Sequence, residues 1–187
     1  MKFIPTDLPG VALIEPAVFG DDRGWFMESH NQQRFVDGLA SLGLPPPPDF
    51  VQDNESQSRR GVLRGLHYQL PPHPQGKLVR VSHGAAFDVA VDIRRSSPHF
   101  GRWFGVELSA ANRRQLWIPP GFAHGFLALE DDTRFHYKTT DYYARECERA
   151  IAWDDPALAI AWPAGLSLVL ISLLSWFGYQ VWSLRDV

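Results

Sequence analysis

Along most of the chain, apolar and polar residues alternate over short stretches closed off by Gly or Pro. Lys77-Leu78-Val79-Arg80-Val81 and Phe87-Asp88-Val89-Ala90-Val91-Asp92-Ile93 are two such stretches; Trp103–Leu108, Gln115–Ile118 and Arg134–Lys138 are others. Side chains of a strand point alternately to its two faces, so this period of two predicts half-buried strands. Helical spacing occurs once early in the chain. Phe35, Val36, Leu39 and Leu42 predict a helix from Asn31 to Leu42, stopped by Gly43 and the Pro45–Pro48 run, itself read as loop. Gly and Pro number 15 each, spread throughout. Punctuation that dense suits strands joined by turns better than long helices. No internal repeat is evident. The expected fold is all-β, a sandwich or barrel of jelly-roll type with a few short peripheral helices.

The pattern changes near the end. From Pro156 to Leu184 no residue is charged, and Leu166–Leu184 is long enough to span a bilayer. Four serines, a glutamine and the lack of a preceding basic anchor argue for a buried segment of the domain instead. The organisation expected is one domain over residues 1–187, with a core at about 2–163 and an atypical apolar segment at about 164–187.

Composition narrows the function classes. A chain of 187 residues, 45% hydrophobic and 13% aromatic, can bury a core of one ordinary domain. Its net charge of -3 gives no global basic field for nucleic acid or membrane. The lone Cys147 forbids an intrachain disulfide, and the prolines and acid of MKFIPTDLPG do not read as a signal peptide. The expectation is a cytoplasmic protein.

Polar groups concentrate in three places: Gln52–Ser56 running into Arg59–Gln69, Pro119–Phe126, and Phe135–Tyr143. Taken singly, His67 is more often a structural histidine than a base, and Tyr137 more often core. Arg64 and His67 are odd-spaced, so either Gly65 bends the chain or the two approach the site differently. Metal binding by His67 and His124 is the rival reading. Metal-binding barrels of the cupin type usually carry a His-x-His pair and a nearby Glu; here Gln69 fills the pair position and Lys77 follows, a cation that would repel another. The chain looks like a cupin barrel whose metal site has given way to acid–base residues, with no cofactor expected.

Five motifs then occur together and in order: Gly20-Asp21-Asp22-Arg23-Gly24, Gln52-Asp53-Asn54, Arg64-Gly65-Leu66-His67-Tyr68-Gln69, Pro120-Gly121-Phe122-Ala123-His124-Gly125-Phe126 and Tyr137-Lys138-Thr139-Thr140-Asp141-Tyr142-Tyr143. In this combination the chain closely resembles the dTDP-4-dehydrorhamnose 3,5-epimerases, from about Lys2 to Pro163. The resemblance implies that His67 is a catalytic base, Tyr137 a catalytic acid, and Lys77 the lysine beside the substrate's 4-keto oxygen. It implies substrate contacts by Arg23, Glu28, Gln52, Asn54, Arg64, His124 and Glu148, and stacking of Tyr143 on thymine. The implied substrate is dTDP-4-dehydro-6-deoxy-D-glucose. The implied assembly is a homodimer in which an N-terminal segment crosses over, so that Arg23 and Glu28 serve the neighbouring site.

The implied chemistry suits these residue types. A ketone acidifies the hydrogens on both neighbouring carbons, and inversion needs a base on one face and an acid on the other. A nearby cation stabilises the enolate oxygen. Arginines grip a diphosphate, and a tyrosine offers a flat face to a base. An imidazole of near-neutral pKa is the expectation for His67.

One departure stands out. The family's Leu-Ser-x-Lys-Asp signature, whose aspartate orients the catalytic histidine, does not follow Trp162-Pro163, where Leu166-Ser167 and Ser172 are followed by more apolar residues. A coding-frame change or a naturally altered tail would explain this. The expected consequence is a weaker base, unless Asp88 or Asp92 substitutes. Three other readings remain open: a single-carbon epimerase on a related dTDP-sugar, a metal-dependent cupin enzyme, and an impaired relative that only binds nucleotide-sugars.

Overall fold

The computed structural model of the protein describes residues 1–163 and 181–187. Strands form where the alternation predicts them and elsewhere besides, including the wholly polar Gln52–Ser58. In chain order they are β1 (Lys2–Pro5), β2 (Ala12–Glu15), β3 (Val18–Asp21), β4 (Gly24–Met27), β5 (Gln52–Ser58), β6 (Leu63–Gln69), β7 (Lys77–His83), β8 (Ala85–Asp92), β9 (Trp103–Ser109), β10 (Gln115–Ile118), β11 (Phe122–Ala128), β12 (Thr133–Thr139), β13 (Glu148–Ile151) and β14 (Val181–Trp182). The predicted helix is α1 (Gln32–Ser41). The Asn31 side chain caps it by accepting from the Arg34 N–H at 3.1 Å.

Two six-stranded sheets result, ordered β1-β2-β10-β7-β12-β5 and β14-β13-β6-β11-β8-β9, with β3-β4 forming a separate hairpin. The arrangement is the expected cupin-type jelly roll. Its two sheets face one another and are not hydrogen-bonded round into a closed barrel.

The period of two decides what lies between them. On β7 and β12, Val79, Val81, Phe135 and Tyr137 turn inward to meet Ala86, Ala90, Phe122 and Phe126 of the second sheet. The phenyl rings of Phe126 and Phe135 stack across this gap with centroids 4.0 Å apart. The outer face of the first sheet, with Leu78 and Trp117, is covered by Phe35 and Leu39 of α1. On the second sheet Leu66, Val89, Val91 and Ile151 point outward and are covered by Leu158, Trp162 and Leu184.

The chain end is fixed at two points. β14 runs parallel to β13, pairing Ala150 with Val181 and Ile151 with Trp182. The Asp155 carboxylate accepts from the Leu184 N–H at 2.7 Å and the Ser183 hydroxyl at 3.0 Å. Most of the atypical apolar segment, residues 164–180, lies outside the described residues. No helix among the described residues is long and apolar enough to cross a membrane.

Candidate active site

At one end of the space between the sheets the inward positions turn polar, and a cavity of about 410 Å³ opens there. Each wall follows from strand parity. Gln52, Asn54 and Ser56 are alternate residues of β5; Tyr137 and Thr139 are alternate residues of β12; Lys77 leads into the inward row of Val79 and Val81. The opposing sheet contributes Arg64 and His67 from β6, His124 from β11 and Glu148 from β13. Tyr143 stands at the mouth, its ring half exposed.

The odd spacing of Arg64 and His67 is resolved by a bulge, the first of the two alternatives. On β11, His124 pairs with His67 and Phe126 with Arg64, so three steps along β6 match two along β11. The extra residue falls at Gly65–Leu66. Gly125 at this crossing is required by contact: a Cβ there would lie 2.7 Å from the Gly65 Cα and 2.8 Å from the Arg64 carbonyl oxygen.

The two histidines differ in their surroundings. His124 Nε2 lies 2.7 Å from Asp88 Oδ1, in a pair almost wholly buried. Asp92 is engaged by Arg94 at 2.7 Å and Ser97 at 2.6 Å. Neither aspartate therefore stands behind His67, which corrects the expectation that one of them substitutes there. Among the described residues His67 has no carboxylate in ion-pair range. Nor do three His, Cys, Asp or Glu residues converge among the described residues in a metal-binding group.

Charge and burial set the protonation of the site. Burial pushes the His67 imidazole down to about 3, and the cationic Lys77, the His124 ring and Arg64 add to the shift. This corrects the near-neutral expectation: His67 is held as the free base. Burial also pushes Lys77 down to about 8, against the pull of Glu148 and Asp88. Tyr137 goes up from the ordinary phenol value through burial, with Arg64 opposing and Glu148 assisting. Burial lowers Arg64 too; its guanidinium donates to the Ser58 hydroxyl at 3.0 Å and the Gln57 carbonyl at 3.1 Å.

Two expected contacts are not in this cavity. Arg23 sits at the turn of the β3-β4 hairpin, paired with Asp21 at 2.6 Å and largely exposed. Glu28 accepts from Asn31 and Arg34, both at 3.1 Å. Conversely, Ser56, Gln75 and Thr139 line the cavity without having been singled out. Parity was the available signal for two of them, since Ser56 follows Gln52 and Asn54 on β5 and Thr139 follows Tyr137 on β12.

The chain end also alters the picture of the missing signature. Ser183-Leu184-Arg185-Asp186 repeats the order serine, any residue, base, aspartate, with Arg in place of Lys. Asp186 is exposed and accepts from the Ser183 N–H at 3.1 Å, completing a capping box. It is not among the residues lining the cavity.

Comparison with known proteins identifies the family. Residues 5–184 match the sequence model for dTDP-4-dehydrorhamnose 3,5-epimerase, a match that runs on through the uncharged stretch. The dTDP-4-dehydrorhamnose 3,5-epimerase of Shigella flexneri is 56% identical over 163 residues, 87% of each chain. A crystal structure of the dTDP-6-deoxy-D-glucose-3,5-epimerase of Legionella pneumophila, in complex with dTDP-4-keto-L-rhamnose, superposes with a TM-score of 0.81 at 52% identity, covering 88% of this chain and 84% of that one. A 3'-monoepimerase from Streptomyces bikiniensis, in complex with dTDP-quinovose, gives 0.84 at 32% identity, covering 99% and 88%. Fold, cavity and sequence together place the chain in the dTDP-4-dehydrorhamnose 3,5-epimerase family.

Proposed function

We propose that the protein inverts carbons 3 and 5 of dTDP-4-dehydro-6-deoxy-D-glucose, giving dTDP-4-dehydro-L-rhamnose. The observation that carries this reading is the opposition of His67 and Tyr137. One comes from β6 and the other from β12, on facing sheets, and both line one cavity. A base and an acid on opposite faces are what inversion beside a ketone requires.

In this reading His67 removes the proton. Its burial among cations favours the neutral imidazole, so no prior deprotonation is needed near neutral pH. Lys77 meets the charge that develops on the 4-keto oxygen, in a site where burial strengthens the attraction. Tyr137 holds its proton until the enolate takes it from the other face. Arg64, Gln52, Asn54, His124 and Glu148 hold the diphosphate and sugar, and Tyr143 takes the thymine. Binding the remote nucleotide tightly orients the sugar between base and acid.

The working unit is proposed to be a homodimer. The β3-β4 hairpin exposes Phe19, Trp25 and Phe26 at 65%, 57% and 69%, unusual for large aromatics. Placing that hairpin on a second copy covers these rings and carries Arg23 toward the neighbouring cavity.

Exchange of solvent deuterium into carbons 3 and 5 of the substrate tests the reading. Incorporation at both carbons is expected. The likeness to a 3'-monoepimerase keeps a second reading, and incorporation at carbon 3 alone would establish it instead. No incorporation, in an assay where an active relative succeeds, would overturn both.

A further inference from the structure

Gln69, in the position where a metal-binding barrel would carry a histidine, is buried to 8% exposure at the end of β6. Its amide is fully engaged with backbone. Nε2 donates to the carbonyl of His73 at 2.7 Å and to that of Tyr142 at 3.1 Å. Oε1 accepts from the Ala144 N–H at 2.8 Å. The N–H of Tyr143 itself donates to Gln52 Oε1 at 3.2 Å. Gln69 thus holds the two peptide groups that flank Tyr143, and Gln52 holds the first of them as well, through its N–H. The Tyr143 hydroxyl donates to Glu148 at 2.8 Å, while its ring stays half exposed at the cavity mouth.

An aromatic face on an unrestrained loop loses conformational freedom each time a ligand stacks on it, and that loss weakens binding. A loop already fixed avoids the loss. We infer that Gln69 is the positioning residue for Tyr143, and that through it the protein sets its affinity for the flat nucleobase end of the ligand. This rests on the proposed function only for the identity of that base. A merely structural Gln69 would tie the two loops together with no bearing on the ligand.

A double-mutant cycle separates the two. Gln69→Met keeps the shape and removes all three hydrogen bonds. In the wild-type background it is expected to raise KM and the Kd for dTDP roughly tenfold, the scale of one or two hydrogen bonds. The turnover number should stay within about twofold, since the binding lost is shared equally by the ground and transition states. Affinity for inorganic diphosphate should not change. In a Tyr143→Ala background, Gln69→Met should cost no further dTDP affinity. A fall in kcat with KM unchanged, or the same loss of dTDP affinity with Tyr143 absent, would overturn the inference. Should Gln69→Met not fold, Gln69→Glu keeps the acceptor for Ala144 and removes both donors; the same split is expected, and the same two outcomes overturn it. Failure of the proposed reaction would show separately, as no deuterium exchange by the wild type, while the dTDP binding cycle still reports on Gln69.

Discussion

Asp88 and His124 form a buried pair, with 2.7 Å between Oδ1 and Nε2, and the second carboxylate oxygen of Asp88 has no hydrogen-bond partner among the described residues. A carboxylate with an unsatisfied oxygen is costly to bury, and its negative charge acts to keep Lys77 protonated against the effect of burial. The pair fixes the imidazole tautomer, with Nε2–H toward Asp88 and Nδ1 left to other partners. Asp88→Ala should lower stability by about 1–3 kcal/mol by leaving the His124 donor unmet. Asp88→Asn should keep most of that stability yet reduce kcat/KM. Denaturant unfolding and steady-state kinetics on both variants check this; equal activity in Asp88→Asn and wild type would count against the role of the charge.

The protonation states give a pH profile. With His67 held down to about 3, kcat/KM should show no acid limb from this residue near its ordinary value of 6.5. With Lys77 at about 8, activity should fall as pH rises through that value and the cation is lost. Lys77→Arg should move the alkaline limb upward, because a guanidinium stays charged there. Stability responds on the acid side instead. The unfolded chain protonates His67 below about 6.5 and the folded one does so only near 3, so stability is lost as pH falls between those values. His67→Gln should flatten that part of the stability curve, measured by denaturant titration at successive pH values.

Gly125→Ala tests the bulge. The added methyl would sit 2.7 Å from the Gly65 Cα, backbone against backbone, with no flexible side chain to yield. Overpacking of this kind costs about 1–3 kcal/mol. Activity should fall further than stability alone explains, because β6 carries both Arg64 and His67. A variant with wild-type melting temperature and turnover would show that the two strands have room to spare.

The hairpin prediction concerns assembly. Replacing Trp25 and Phe26 by Ser removes most of the exposed aromatic surface without touching the cavity of the same chain. Sedimentation should shift from dimer toward monomer, and activity should drop with it, since Arg23 no longer reaches a neighbouring site. A wild-type protein that sediments as a monomer at assay concentration would refute the proposed unit.

Much of this was legible beforehand. The inward rows of β7, β8 and β12 follow directly from the alternation of Val79, Ala90 and Phe135 with polar or outward-facing neighbours, because one-dimensional parity is all a strand needs. Segregation of the polar inward residues to one end was not legible, since it depends on which strands adjoin. That is why Asp88 was offered to His67, when β8 in fact pairs with β11 and presents it to His124. The low pKa of His67 was missed for a similar reason: burial and three cationic or ionisable neighbours come from separate strands. Ser183–Asp186 is not legible as that signature in the sequence because the uncharged stretch separates it from Pro163.

The crossing of β6 and β11 has a further meaning for how such a strand encodes information. A regular strand assigns odd and even positions to different jobs, one set for packing and the other for the cavity. In β6 the single extra residue inverts that assignment partway along. Before it the even-numbered Arg64 faces the cavity; after it the odd-numbered His67 and Gln69 do, while Leu66 and Tyr68 pack outside. The strand is therefore two reading phases joined at a glycine, and a phase change of one residue lets a short segment give three polar groups to the same wall without giving up its outer core.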